Sequence, residues 1–142
     1  MKIEKMSLED LTEVTHLAEQ LGYPNTVEEV TQRFVEMIND PDYALFVAKT
    51  DRVLGWIQIN HEPKTLLIGP RADIAALVVD ENSRSLGVGK ALVKRAEEWA
   101  RENKIELVRV KSNTKREAAH RFYQREGYTL AKTSHMFSKQ LK

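Results

Sequence analysis

The chain contains no cysteine and no long uninterrupted apolar run. The absence of cysteine excludes a disulfide framework, a thiolate metal site, a cysteine nucleophile and a lipid anchor attached to a thiol. The longest aliphatic run, Ile74 to Val79, is too short to span a bilayer, and the first residues lack the apolar core of a signal peptide. We therefore expect a cytoplasmic protein without a bound metal or a membrane partner.

Glycine and proline are also scarce, with 6 and 4 in 142 residues, and no cluster of them interrupts the chain as a linker would. A length of 142 residues is close to the commonest size of one domain. The sequence therefore predicts a single domain over residues 1–142, made of three consecutive parts: residues 1–42, 43–103 and 104–142.

The formal net charge of +1 conceals an uneven distribution along the chain. Residues 1–83 carry 7 Lys and Arg against 15 Asp and Glu, a net charge of −8, whereas residues 84–142 carry 15 against 6, a net charge of +9. Such a division suggests two partners of opposite charge, although solvated helix faces that differ by chance would produce it too.

The apolar periodicity predicts elements in the order β-α-α-β-β-β-α-β-α-β-β, a mixed α/β (α+β) fold with about seven strands and about four helices. Thr26 and Glu29 form a capping-box pattern at the start of the second helix. The fourth strand, Ile74 to Val79, is apolar at every position, as a strand covered on both faces would be. The last two predicted strands are Tyr128 to Ala131 and His135 to Leu141.

A glycine-bearing turn lies between the fourth strand and the long helix that follows it. Its glycines, Gly87 and Gly89, stand where a loop and a helix N-terminus can present N–H groups to an anion. A Walker A loop would need Gly at 84 and Ser or Thr at 91, but Arg84 and Ala91 stand there. A dinucleotide fingerprint would need Gly or Ala at 92, which is Leu92. Neither an NTPase nor a Rossmann dehydrogenase is therefore indicated.

The segment Arg84-Ser85-Leu86-Gly87-Val88-Gly89 after the apolar strand resembles the pyrophosphate-binding signature of the GNAT superfamily of N-acetyltransferases. A second motif agrees with it: Asn113, Ala118-Ala119, Phe122-Tyr123 and Gly127-Tyr128 resemble the strand and helix that follow in that superfamily. The resemblance covers residues 53–142, and Ser85 departs from the glycine that many members have there. It implies a centrally splayed sheet and acetyl-CoA as co-substrate, without a metal.

The resemblance also implies which residues would hold the cofactor. Main-chain groups of three strand residues would pair with the pantetheine arm, the loop N–H groups would hold the pyrophosphate, and Asn113 would contact the pantetheine or the phosphate side. Tyr123 would lie near the thioester sulfur. The cofactor set is Leu77, Val78, Val79, Arg84, Ser85, Leu86, Gly87, Val88, Gly89, Lys90, Asn113 and Tyr123.

Without cysteine, direct attack of the amine in a ternary complex is favoured over an acyl-enzyme. Tyr123 is the predicted general acid for the departing thiolate, and a strand N–H, that of Val78 or Val79, would stabilise the oxyanion. Asp73, directly before the fourth strand, is the first candidate for the general base, and His135 and His120 are alternatives. The alternative explanation for Asp73 is structural: it only ends the apolar run at a solvated position. The hairpin between the third and fourth strands is expected to bring His61 and Glu62 close to Asp73.

The acceptor-side helices are expected in residues 1–42, which belong to the acidic half of the chain. That charge favours a cationic acceptor, namely a polyamine, an aminoglycoside, or a lysine or peptide amine. Tyr23 and Trp56 are candidate acceptor contacts together with His61 and Glu62, although Trp56 suits core packing equally well.

Two other classes of function stay open. One is a non-catalytic CoA-binding sensor or subunit, since the cofactor motif is better supported than the base. The other, a nucleic-acid-binding protein, is disfavoured because the basic half lacks the interleaved aromatic residues of a base-stacking platform. The sequence also leaves open whether the chain forms a homodimer through its last strands.

Overall fold

A computed structural model describes residues 1–62, 64–84, 86–112 and 115–142. They form two compact units, residues 1–110 and residues 111–142. The first unit contains five strands and three helices: β1 (Lys2–Lys5), α1 (Leu11–Gln20), α2 (Val27–Met37), β2 (Tyr43–Lys49), β3 (Val53–Glu62), β4 (Arg71–Val79), α3 (Val88–Glu102) and β5 (Val108–Val110). The second unit contains α4 (Glu117–Arg125).

The five strands form one open sheet in the order β1-β2-β3-β4-β5. The first four strands pair antiparallel, and β4 pairs parallel with β5, so the sheet is mixed as predicted. The predicted capping box starts α2: the Glu29 N–H donates to Thr26 Oγ1 at 3.1 Å, and the Thr26 N–H donates to Glu29 Oε1 at 2.8 Å.

Helices cover both faces of this sheet. On one side, here called the α2 face, α1 and α2 enclose a core of Met6, Leu11, Val14, Leu17, Phe34, Val47, Val53 and Val78. On the other, the α3 face, α3 packs against β2, β3 and β4 and buries Leu92, Val93 and Ala96. Near the sheet centre most positions of β2 and β3 that face these helices are apolar, and Gln58 of β3 is an exception, because its Nε2 donates to Met37 Sδ of α2 at 3.9 Å.

Gly55 of β3 allows the start of α3 to approach the sheet closely. A Cβ atom at this position would lie 2.8 Å from the Val78 carbonyl oxygen and 2.9 Å from Val88 Cγ1. Both distances are shorter than a carbon atom tolerates, so a side chain here would displace Val88, the first residue of α3. Glycine at 55 thus fixes where the N-terminus of α3 lies relative to β4.

β4 contains a bulge and then loses its neighbour on one side. Gln58 pairs with Ala76 and Ile59 with Ile74, which leaves Ala75 as an extra residue. The pairing with β5 ends at Ile74, so the remainder of β4 has no strand partner on that edge among the described residues. The sheet therefore opens at Ala75, just before the strand residues that the resemblance assigned to the pantetheine arm.

The expectation of about seven strands is wrong in number, because the described residues form five. Tyr128 to Ala131 and His135 to Leu141 are not strands, and residues 129–142 are exposed throughout. Their apolar residues, including Leu130 and Phe137, bury no surface comparable to that of the core. A strand requires a neighbour for its backbone hydrogen bonds, and alternating apolar residues cannot provide one. No described helix is both long enough and apolar enough to cross a membrane.

Candidate active site

The loop after β4 and the start of α3 form an anion-binding arrangement. Gly87 is the N-cap of α3 and has a φ of +79°, a left-handed conformation that glycine adopts without strain. The Ala91 N–H donates to the Gly87 carbonyl at 3.0 Å and makes the first turn of the helix, so the N–H groups of residues 88–90 have no acceptor within it. These groups and the helix dipole favour an anion at this end.

The charge around this helix start agrees with its geometry. The first turn of α3 contains no acidic residue, and the side chains of Arg84 and Lys90 are exposed beside it. Leu86 is exposed and Val88 is buried against the sheet. Ser85 and Asn113, which the resemblance assigned to the cofactor, lie outside the described residues.

The open edge of β4 offers main-chain groups to an extended ligand. The Asp80 N–H donates to the Leu54 carbonyl at 2.8 Å, so residue 80 faces β3. Because strand residues alternate, Val78 also faces β3, opposite Trp56, whereas Leu77 and Val79 direct their N–H and C=O groups to the open edge. Of the three residues predicted to pair with pantetheine, Val78 therefore uses its main-chain groups within the sheet.

Asp80 holds the end of β4 in place through an ion pair that no sequence motif indicated, in which the carboxylate is buried and the arginine is half-exposed. Arg52 Nη1 lies 2.9 Å from Asp80 Oδ2, and Gln20 Nε2 and Ser83 Oγ also donate to this carboxylate. The Arg52 hydrogen bond is the main reason that the pKa of Asp80 lies below its ordinary value. The available sequence signal was an acid placed directly after an apolar strand.

Replacing Asp80 with Asn is expected to lower the free energy of unfolding by about 1–3 kcal/mol at pH 7, the usual range for a hydrogen bond to a charged group. Because the folded-state pKa is depressed, this stabilisation is present above the ordinary pKa of about 4 and is lost as the pH falls through the folded-state value. Urea unfolding at pH 7 and pH 3 measures it, with the exposed neighbour Asp51→Asn as control. An equal loss at both pH values would contradict this explanation.

Asp73 lies on the α2 face, two residues before the bulge. Its register partners are Asn60 on β3 and Arg109 on β5, and Arg109 Nε lies 3.3 Å from Asp73 Oδ1. The carboxylate remains partly open, with 20% of the side chain exposed. Asp73 thus combines a fixed orientation with access to solvent just before the sheet opens.

The predicted cluster of Asp73, His61 and Glu62 forms only in part. Glu62 lies on the α2 face with Asp73, but His61 pairs with Ala72 in the register and so points to the opposite face. There His61 Nδ1 lies 3.7 Å from Asp42 Oδ1 and lines a cavity of about 360 Å³ with Lys104 and Ile105. The expectation that His61 adjoins Asp73 is wrong because neighbouring strand residues face opposite sides.

The two aromatic acceptor candidates lie in different surroundings. Tyr23 is 62% exposed in the connection between α1 and α2. Trp56 packs against the core of the α2 face, and its buried indole Nε1 has no hydrogen-bond partner among the described residues. The structure therefore leaves Tyr23 available to a ligand and places most of Trp56 in the core.

Tyr123 lies on α4 in the second unit and is half-buried. Its ring makes edge contacts with Phe122 and Tyr128, with centroids 5.2 and 5.9 Å apart. Burial raises the pKa of the Tyr123 phenol, and the nearby charge of Arg116 opposes that rise only in part. The phenol is therefore protonated at neutral pH, as a proton donor must be.

Comparison with known proteins identifies the family of the chain. Residues 8–128 match the acetyltransferase (GNAT) family. The chain belongs to the GNAT family. It is 46% identical over 110 residues to the aminoalkylphosphonate N-acetyltransferase of Salmonella typhimurium, a match that covers 76% of this chain and 70% of that enzyme.

Solved structures show the same fold. The aminoglycoside 6'-N-acetyltransferase AAC(6')-Ig of Acinetobacter haemolyticus superposes with a TM-score of 0.86 at 16% identity over 100% of both chains. AAC(6')-Iy, in complex with the bisubstrate analogue CoA-S-monomethyl-acetylneamine, superposes with a TM-score of 0.87 at 16% identity over 98% of this chain and 97% of that one. This GNAT protein is an acyltransferase that uses acetyl-CoA as co-substrate and transfers acetyl to an amine.

Proposed function

We propose that this GNAT protein acetylates a primary amine of a small molecule by direct attack in a ternary complex. The observation that carries the proposal is the order of groups along β4. Asp73 comes first, then the opening at Ala75, then the outward main-chain groups of Leu77 and Val79, and finally the helix start at Gly87. Acceptor, thioester, pantetheine and pyrophosphate would occupy these positions in turn.

Each group in this order has a defined role. The N–H groups of residues 88–90, with Arg84 and Lys90, hold the pyrophosphate. The outward groups of Leu77 and Val79 pair with the pantetheine arm as an added strand would, and the Leu77 N–H, the outward amide nearest the opening at Ala75, stabilises the oxyanion. Leu77 takes this role in place of Val78 or Val79, because Val78 faces β3 and Val79 lies further from the opening.

Two side chains move the protons. An alkylamine has a pKa of about 10.4 and arrives as a cation, so Asp73 accepts its proton before attack. Acetyl-CoA supplies the activated acetyl group. We propose Tyr123 as the proton donor to the departing thiolate, a role that the resemblance implies. Its raised pKa keeps the phenol protonated at neutral pH and makes proton transfer to a thiolate, whose thiol has an ordinary pKa of about 8.5, an uphill step.

The acceptor class is proposed from charge and from the relatives. The acidic N-terminal half favours an amine that is cationic in solution, and the named activities of the Salmonella and Acinetobacter relatives involve amines on small molecules. The test is release of free CoA thiol from acetyl-CoA against a polyamine, an aminoglycoside, a lysine peptide and an aminoalkylphosphonate. Turnover with any one supports the proposal, whereas tight CoA binding without turnover on any of them supports a non-catalytic sensor.

A further inference from the structure

Arg71, the first residue of β4, is partly buried, and two of its guanidinium nitrogens are buried without a hydrogen-bond partner. Its Nε and Nη1 atoms are both inaccessible to solvent and have no partner among the described residues. A buried lysine can shed its proton, but a guanidinium keeps its charge in proteins. Burial of these donors without an acceptor therefore destabilises the folded state, and no hydrogen bond offsets that cost.

The neighbouring carboxylates do not relieve this cost. Glu62 is the register partner of Arg71 on β3, yet the described residues form no ion pair between them within 4.0 Å. Asp73, two residues further along β4, is engaged by Arg109. The chain thus places a charged donor beside two acids without pairing it to either. The oxyanion of a ligand would supply the missing acceptor once the Arg71 side chain turns these donors towards it.

The position of Arg71 relates this donor to the transfer chemistry. Arg71 and Asp73 are two residues apart on one strand, so they share the α2 face and their Cα atoms are separated by about 6.5–7 Å. Asp73 lies nearer the opening at Ala75, and Arg71 lies further from it. A short molecule with an amine at Asp73 and an oxyanion at Arg71 would therefore present its amine towards the thioester.

We infer that the acceptor carries an oxyanion, a phosphonate or a carboxylate, a few bonds from its primary amine, and that Arg71 binds this group. The inference rests on the proposed function and narrows its substrate class. Arg is suited to the task because its planar donors match two oxygens of a phosphonate or carboxylate at once. The acceptor is then a zwitterion, whose cationic end meets the acidic half of the chain.

The experiment compares wild type with Arg71→Met and Arg71→Lys on three amines of matched length. These are 2-aminoethylphosphonate, β-alanine and the uncharged propylamine. We expect wild type to favour one of the two anionic amines over propylamine in kcat/KM, and Arg71→Met to lower that preference by about 10–100-fold, the usual range for a charge-assisted pair. Arg71→Lys should restore part of it. The anionic amine whose kcat/KM falls most in Arg71→Met identifies the oxyanion that Arg71 binds.

Two further measurements make the result decisive. Arg101→Met, an exposed arginine at the far end of α3, is the control and should keep the wild-type preference. The Tm of Arg71→Met should stay level or rise, because an unpaired buried charge has been removed. An equal loss of activity on all three amines, or an unchanged preference, would overturn the inference.

A binding measurement separates this inference from the proposed function. Methylphosphonate and acetate carry the oxyanion without an amine, so their effect on Tm does not depend on catalysis. If no amine releases CoA but one of these anions raises the Tm of wild type and not of Arg71→Met, the transfer proposal fails and the Arg71 site stands. If amines are acetylated, but neither the Tm change caused by the anions nor the preference among the amines depends on Arg71, the transfer proposal stands and the Arg71 site fails.

Discussion

Replacing Tyr123 with Phe is expected to lower kcat by about 10²–10³-fold, within the range that a positioned proton donor contributes. The substitution removes only the hydroxyl, and the ring contacts with Phe122 and Tyr128 remain. The KM for acetyl-CoA should therefore change little. Steady-state assays of thiol release measure both constants, with Tyr43→Phe on β2 as the matched control.

The pH dependence adds an independent check on Tyr123. Its raised pKa means that the phenol stays protonated as the pH rises and loses its proton only above the ordinary value of about 10. The wild-type kcat should accordingly show no appreciable decline from this group up to about pH 9. An unchanged kcat in the Phe variant would remove Tyr123 from the mechanism and point to water as the donor.

Replacing Asp73 with Asn is expected to lower kcat/KM for the amine by about 10²-fold at pH 7. Asn has nearly the same shape but cannot accept the proton of an alkylammonium. The defect should shrink as the pH rises towards 10, because the fraction of free amine grows about tenfold per pH unit below its pKa. Thiol-release assays from pH 6.5 to 9.5 measure this rescue.

Asp42→Asn is the matched control for Asp73. Asp42 is also a carboxylate near this end of the sheet, but it lies beside His61, whose side chain is on the α3 face. The variant should keep the wild-type pH profile. If Asp73→Asn kept that profile too, the Asp73–Arg109 pair would only join β4 to β5, and the amine would lose its proton to another group.

Much of the sheet was predictable because its signals are local. The capping box at Thr26 and Glu29 and the apolar run of Ile74 to Val79 each depend on residues within a few positions. The start of β4 at Arg71 was missed because its polar residues interrupt the apolar pattern. The two strands predicted after Gly127 do not form, because alternating apolar residues predict an apolar face but not the neighbouring strand that must pair with it.

The site was predictable where the motif consists of consecutive residues. Gly87 and the basic residues beside it stand in the helix start as expected. The contact of Asp80 was missed because the folded sheet brings Arg52 to it from a distant part of the sequence. The unpaired donors of Arg71 were missed because burial without a partner is visible only in the folded structure. Gly55 had a signal, a glycine inside an apolar strand, which indicates close backbone approach.

The extra residue at Ala75 reverses the parity of β4. Before it, Ala72 directs its N–H to Leu107 on the β5 side, and after it the odd-numbered residues 77 and 79 take that direction. If Ala75 paired with Gln58 as an ordinary strand residue, the even-numbered positions would face the open edge along the whole of β4, and the amides of Leu77 and Val79 would be used within the sheet. The bulge therefore decides which main-chain groups of β4 are left for a ligand strand, although it changes no side chain.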